Sequence, residues 1–162
     1  MQRTLVVVPA RMQSTRLPDK PLADIAGKPM IVHVWERAMA AGVGRVVVAT
    51  DNDAILAAVH AAGGEAVMTR ADHPSGSDRV FEAVRTIDPA GDFEVVLNLQ
   101  GDLPMLPPRL PRDCLAPLLE NGTDIATIAA EITKPDDRTN PNAVKVVGAA
   151  TTVPGRLRAL YF

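Results

Sequence analysis

Four short runs of aliphatic and β-branched residues punctuate the first hundred positions: Leu5 to Val8, Arg45 to Ala49, Glu65 to Thr69 and Glu94 to Leu99. Each is apolar almost without interruption and does not alternate. That pattern predicts strands buried on both faces, as in a parallel sheet covered by helices. The segments between them are helical in pattern. Pro29 to Ala41 opens on a proline and stops at Gly42, a start and a stop signal in their favoured places. Asp53 to Ala62 is alanine-rich and closes at Gly63-Gly64, and Ser77 to Ile87 spaces Val80, Phe81 and Val84 as one apolar face. The alternation of strand and helix predicts an α/β fold with a mostly parallel sheet. Further on, the pattern predicts a helix within Pro111 to Glu120, a strand over Asp124 to Ile132, and β runs at Ala143 to Val147 and from Arg156 to Phe162. Thr133 to Asn142 is polar with two prolines and predicts a surface loop, so the last third is expected to be richer in β structure.

Composition narrows the class. A chain of 162 residues, 47% hydrophobic and 22% charged, is sized and composed as one globular domain, which excludes disorder. Seventeen basic against nineteen acidic residues argue against broad nucleic-acid binding, and 3% aromatics against a base-stacking platform. The single cysteine, Cys114, permits no intrachain disulfide and fits a reducing, cytoplasmic compartment. It lies in a helical stretch and reads as a packed thiol rather than a nucleophile. The run Leu5 to Val8 is too short for a signal peptide, and no run approaches the roughly 20 apolar residues of a membrane span, so no membrane partner is expected.

In open α/β sheets, ligands sit beyond the carboxyl ends of the strands. Those positions here are Pro9 to Lys20, Thr50 to Asp53, Arg70 to Arg79 and Gln100 to Pro104. The first carries Arg11, Arg16 and Lys20 against one acid, Asp19. Clustered cations at such a point suit a polyphosphate, arginine as a planar fork and lysine as a compact charge; a solvated surface loop is the plainer alternative. Neither a Walker A sequence nor a G-x-G-x-x-G fingerprint is present. Asp102 is either a carboxylate within reach of a phosphate-bound metal or a turn-former ahead of Pro104. Ser75 and Asp78 match a capping box, a role that does not exclude ligand contact. Asp51 and Asp53 are expected to cap the next helix. His73 has no histidine or cysteine partner at zinc spacing, His33 and His60 read as packing or surface residues, and Trp35 reads as core.

A family resemblance then becomes specific. Pro9-Ala10-Arg11, Ser14-Thr15-Arg16-Leu17-Pro18 and Lys20-Pro21-Leu22 resemble the N-terminal signature of sugar-activating cytidylyltransferases. Gly27 to Val34, Val48 to Asp51, Met68 to Gly76, Asn98 to Asp102 and Asn140 to Val147 continue it in collinear order. The ordered set is similar to the 3-deoxy-manno-octulosonate cytidylyltransferases, or CMP-Kdo synthetases, over nearly the whole chain.

The resemblance implies a Rossmann-like, three-layer nucleotidyltransferase fold. It implies transfer of CMP from CTP to the sugar acid Kdo, with Mg²⁺ offsetting the developing charge and with pyrophosphate as the second product, for lipopolysaccharide synthesis. It assigns Arg11, Ser14, Arg16 and Lys20 to the CTP phosphates, Ser75 and Gln100 to the nucleotide, Asp102 to the metal, and Arg79 to the sugar carboxylate. Lys20 and Asp102 would carry the catalytic charge. Two positions depart from the family: Leu103 stands where glutamate is usual, removing a charge beside the metal site, and Pro74 stands where glutamine is common. These departures leave room for another sugar acid or an amino-sugar acid. Family members commonly form homodimers. Their chains also continue past the position of Phe162, so residues 1–162 are expected to be a single nucleotide-diphospho-sugar-transferase-like domain holding the CTP-binding part, with the sugar-binding and dimer-forming part largely absent. A non-catalytic CTP-binding fragment is the corresponding alternative.

Overall fold

Strand β1 (Thr4–Ala10) lies inside a four-stranded parallel sheet. The computed structural model describes residues 3–12, 18–120 and 122–161. After β1 come a tight hairpin of β2 (Asp24–Ile25) and β3 (Lys28–Pro29), helix α1 (Met30–Ala41), β4 (Arg45–Thr50), α2 (Asp53–Ala61), β5 (Glu65–Met68), α3 (Gly76–Ile87), β6 (Val95–Asn98) and α4 (Arg109–Leu115). The sheet order is β5-β4-β1-β6, with Ala10 paired to Thr50, Thr50 to Met68 and Val7 to Asn98. The carboxyl ends of all four strands therefore share one edge of the sheet.

Alternation along β1 and β4 divides the core into two layers. Val6, Val8, Val46 and Val48 pack with Ile31, Val34, Ala38, Ile55 and Val59 of α1 and α2. Leu5, Val7, Val47 and Ala49 pack with Val80 and Ala83 of α3. The result is the expected three-layer α/β arrangement, with β1 and β4 buried on both faces. The edge strands differ from the sequence expectation: β5 and β6 are only partly buried, because among the described residues each has a neighbour on one side alone. Phe81 also departs, at 69% exposed. The inward stripe of α3 runs through Val80, Ala83, Val84 and Ile87, and Phe81 sits one residue, about 100°, around the helix from it.

The helix ends follow local chemistry. Gly42 closes α1 in the left-handed conformation, with φ 62°. Asn52, rather than the expected Asp51 or Asp53, caps α2; its carbonyl oxygen accepts from the amides of Ala54 and Ile55 at 2.9 and 3.3 Å. Ser75 caps α3 as expected, accepting from the Asp78 amide at 3.2 Å and donating to the Asp78 carboxylate at 2.5 Å. Trp35 of α1 packs against the first core layer, and its buried indole N–H has no hydrogen-bond partner among the described residues. Gly64 lies so close that a Cβ there would stand 2.8 Å from the Trp35 ring.

The chain forms two compact units, Met1–Asp124 and Ile125–Phe162. In the second, β7 (Val147–Ala150) and β8 (Leu157–Tyr161) pair antiparallel. The expected strand over Asp124 to Ile132 is not assigned: a β-prone run becomes a strand only when a neighbour supplies the ladder, and the pairing here lies between β7 and β8. The run expected at Ala143 enters its strand only at Val147, because Ala143 closes a turn on the Asn140 carbonyl at 3.1 Å. The loop expected over Thr133 to Asn142 contains one short 3-10 turn, Pro135–Arg138. Among the described residues, no helix is long and apolar enough to cross a membrane.

Candidate active site

Three segments meet at the carboxyl end of β1, and Pro9 is where they touch. A Cβ on Gly101 would stand 2.4 Å from the Pro9 carbonyl oxygen, so the turn after β6 passes against β1 at a separation only glycine allows. A Cβ on Gly76 would lie 3.7 Å from the Pro9 ring, which sets the first turn of α3 beside the same residue. Arg11 follows immediately and is exposed at this edge. Arg11, Ser75, Gln100 and Asp102 thus border one place, although 91 residues separate the first from the last.

Lys20 reaches this place by a local device. Asp19 adopts the left-handed conformation, φ 53°, and starts a short 3-10 turn, Lys20–Leu22, closed by the Leu22 amide on the Asp19 carbonyl at 2.9 Å. Aspartate tolerates that backbone better than most residues. From the turn, the Lys20 ammonium donates to Asp102 Oδ2 at 2.8 Å. Both side chains keep contact with solvent, so the pair adds little to stability. Its information is positional: a cation and a carboxylate assigned by sequence to phosphate and metal stand in direct contact. Gln100 is exposed, with its amide donating to Asn98 Oδ1 at 3.1 Å. Ser14 and Arg16 lie outside the described residues.

Arg79, which the resemblance assigns to the sugar carboxylate, lies inside the protein. Its side chain is 3% exposed; Nη2 donates to Asp51 Oδ2 at 2.7 Å and Nη1 to Thr69 Oγ1 at 2.5 Å. The guanidinium thus spends two of its donors inside the protein. Asp51 and Thr69 are the residues that sequence reasoning missed. The Asp51–Arg79 pair spans 28 positions, and the one available hint was an acid directly after a strand.

The segment between Thr69 and Ser75 is fastened to α3 elsewhere too. Glu82 accepts from the Arg70 amide at 3.0 Å and pairs with the His73 ring. The His73 hydrogen bond, with help from the Arg70 amide, holds the Glu82 carboxyl below its ordinary pKa. Arg70 and Asp72 pair at 2.7 Å in solvent, which lowers the Asp72 pKa and raises that of Arg70. His73 is therefore a partner of Glu82. His33 Nε2 lies 2.8 Å from the Ile25 carbonyl, a packing role. Burial pushes the Cys114 thiol upward, against nucleophilic use.

Among the described residues no cluster of three or more acidic, histidine or cysteine side chains forms a closed metal cage. The donor set suits a different kind of ion site. One carboxylate, Asp102, stands beside a phosphate-type lysine, and magnesium commonly takes one or two carboxylates with phosphate oxygens and water.

Known proteins resemble this chain in sequence and in fold. The sequence model of the family described as cytidylyltransferase matches residues 5–154. The 3-deoxy-manno-octulosonate cytidylyltransferase of Nitrobacter hamburgensis is 62% identical over 160 residues, covering 99% of this chain and 62% of that protein. The protein of the same name from Brucella anthropi is 58% identical over 160 residues, covering 99% of this chain and 64% of its own. The chain thus spans somewhat under two thirds of the curated relatives it matches. Among solved structures, CMP:2-keto-3-deoxy-manno-octonic acid synthetase complexed with CTP superposes with a TM-score of 0.68 at 47% identity, over 74% of this chain and 48% of that one. A cytidylyltransferase from Leptospira borgpetersenii, 21% identical over 75% of this chain and 51% of its own, shares the fold with a TM-score of 0.64.

Proposed function

The chain belongs to the cytidylyltransferase family, and on that premise we propose that it binds CTP at the carboxyl edge of its sheet and serves the transfer of CMP to the sugar acid Kdo. The observation that carries the reading is the contact between Lys20 and Asp102, with Arg11 and Gly76 beside the same end of β1. Fixed positive charge at that point is what a triphosphate requires, and the relative that superposes over most of this chain holds CTP.

In the proposed reaction a hydroxyl oxygen of the sugar acid attacks the α-phosphorus of CTP. A new P–O bond forms there, the bond from the α-phosphorus to the bridging oxygen breaks, pyrophosphate leaves with that electron pair, and the hydroxyl gives up its proton. Lys20 and Arg11 hold the phosphates, so their charges oppose the repulsion that an approaching oxygen would meet. Asp102 would hold magnesium, which when bound would offset charge on the phosphate oxygens, and Lys20 would then be left to the phosphates. Before the nucleotide arrives, each member of the ion pair keeps the other in place. Ser75 and Gln100 border the nucleotide, and Ser14 and Arg16 would join Arg11 on the phosphates. Kdo as the acceptor, lipopolysaccharide synthesis as the use, the cytoplasm as the location and a homodimer as the working form belong to the same proposal. They rest on the identity to the named relatives.

Leu103 favours a second reading of the acceptor. Its neutral, half-exposed side chain directly follows Asp102, where the resemblance leads one to expect an acid. The assay is pyrophosphate release from CTP and Mg²⁺ with Kdo, or with other sugar acids in its place. Release with Kdo is expected. Release with another acid alone moves the proposal to that acid, CTP binding without release reduces it to nucleotide binding, and no CTP binding overturns it.

A further inference from the structure

Arg79 is nearly enclosed, yet it is one of the few charged groups in the interior and bonds in two directions at once. Asp51, at the end of β4, accepts from one terminal nitrogen; Thr69, at the end of β5, accepts from the other. Thr69 is itself locked to β4, its amide and its hydroxyl donating to the Thr50 carbonyl at 2.8 and 3.1 Å. The Thr50 hydroxyl in turn accepts from the Asn52 amide at 3.2 Å. Two strand ends and the first turn of α3 are therefore joined through one planar guanidinium.

An arrangement of this kind is poorly explained by stability alone. Apolar residues of similar volume commonly replace a buried ion pair at no loss. Direction is what the pair supplies. Val80 and Ala83 hold α3 on the sheet by contact, which resists separation but tolerates sliding along the sheet. A guanidinium bonded at both ends fixes the helix along its axis and about it. The turn so fixed carries Ser75 and Gly76, the latter placed so that a Cβ on it would lie 3.7 Å from the Pro9 ring. The segment 70–75 is likewise tied at both ends: Thr69 to Arg79 at its start, the Ser75 cap at its finish, and Glu82 to the Arg70 amide between.

We propose that Asp51, acting through Arg79 and Thr69, is a positioning residue that sets the distance between the Ser75–Gly76 turn and the β1 end, and so tunes CTP affinity. The proposal rests on the functional reading above, and it assigns Arg79 to the nucleotide side of the site without contact to substrate.

The test uses the whole purified protein and two readouts. One is the CTP dissociation constant by calorimetry, with the Michaelis constants for CTP and sugar acid where turnover is measured. The other is amide hydrogen exchange over residues 70–79, with the amides of β1 as the internal reference. Asp51→Asn and Arg79→Lys are each expected to weaken CTP binding about 10-fold, and the double variant no more than the worse single, because both break one linkage. Exchange over residues 70–79 is expected to quicken while β1 stays protected. The sugar-acid Michaelis constant is expected to change less than that for CTP. Thr69→Val keeps the ion pair and removes one acceptor; it supplies the same comparison in a milder form if Asp51→Asn fails to fold.

Unchanged CTP affinity and unchanged exchange in folded variants overturn the proposal. So does an Arg79→Lys protein that loses affinity for the sugar acid alone, which would restore Arg79 to the carboxylate. A wild-type protein that does not bind CTP overturns the functional reading and the tuning of affinity together, and the exchange data then decide whether the linkage fixes the segment.

Discussion

Replacing Gly101 by alanine tests the site and its packing at once. The new Cβ would stand 2.4 Å from the Pro9 carbonyl oxygen and 3.4 Å from its carbon. Ordinary carbon–oxygen contacts lie near 3.3 Å, so one of the two backbones must retreat by about 1 Å. Neither is a flexible side-chain tip. Pro9 is pinned by the sheet through its pairing with Ala49, and the Gly101 turn is the freer partner. Overpacking of this kind costs about 1–3 kcal/mol. The substitution also stiffens the unfolded chain, a gain of about 0.4–1 kcal/mol for folding, because Gly101 does not sit at positive φ. The net loss is up to about 2.6 kcal/mol, a fall in Tm of up to roughly 10 °C at this chain length. Function should suffer more than stability. Asp102 is the next residue, and a 1 Å displacement of a positioned group can cost on the order of 100-fold in rate. Thermal unfolding and CTP titration on one preparation measure both effects. Gly76→Ala is the control, since its Cβ meets Pro9 at an ordinary 3.7 Å and its Tm should hold or rise. A Gly101→Ala protein with an unchanged or higher Tm and wild-type CTP affinity would refute the close approach as the reason for this glycine.

Asp102→Ala should abolish magnesium-dependent pyrophosphate release while leaving the unfolding free energy within about 1 kcal/mol of wild type, as read by denaturant unfolding, because an exposed ion pair contributes little. Unimpaired turnover would remove Asp102 from the reaction. Asn52→Ala should lower stability by about 0.5–2 kcal/mol through loss of the α2 cap, as read by denaturant unfolding. Ile31→Ala, at a fully buried position, should cost about 2–5 kcal/mol. Asp88 accepts from the amides of Phe93 and Asp92 at 2.8 and 2.7 Å, first the former and then the latter holding its pKa down. A carboxyl lowered by folding gives stability that is complete above the ordinary carboxylate range and is lost as pH falls through the folded value. Wild-type Tm should therefore drop on acidification below about pH 4, and Asp88→Asn should flatten that drop; equal slopes would show that Asp88 does not contribute.

The fold was legible where one residue type decides an outcome. Uninterrupted valine marked β1 and β4, Gly42 marked the end of α1, and Ser75 with Asp78 marked the start of α3. Legibility failed where several residues compete or where the partner is remote. Asp51, Asn52 and Asp53 are all good caps; only the backbone geometry hands the role to Asn52 and frees Asp51 for Arg79. Phe81 has the size of a core residue but the wrong angle on its helix. The segment Asp124 to Ile132 has β-prone composition, and composition does not provide a neighbouring strand. In the site, each segment was found from its position after a strand and from the family pattern, whereas the Lys20–Asp102 contact across 82 positions could be known only from the folded chain.

The indole of Trp35, half-buried against the first core layer, has a practical consequence for measurement. It is the sole tryptophan of the chain, and the sole tyrosine, Tyr161, lies in β8. Each of the two compact units therefore owns one intrinsic chromophore of its own kind. Packing of the ring on the first core layer, with an N–H that has no partner among the described residues, should give emission that moves to the red when α1 parts from the Val59–Gly64 turn. Tryptophan emission and tyrosine absorbance followed in the same denaturant titration would report the two units separately, and non-coincident curves would show that they unfold independently.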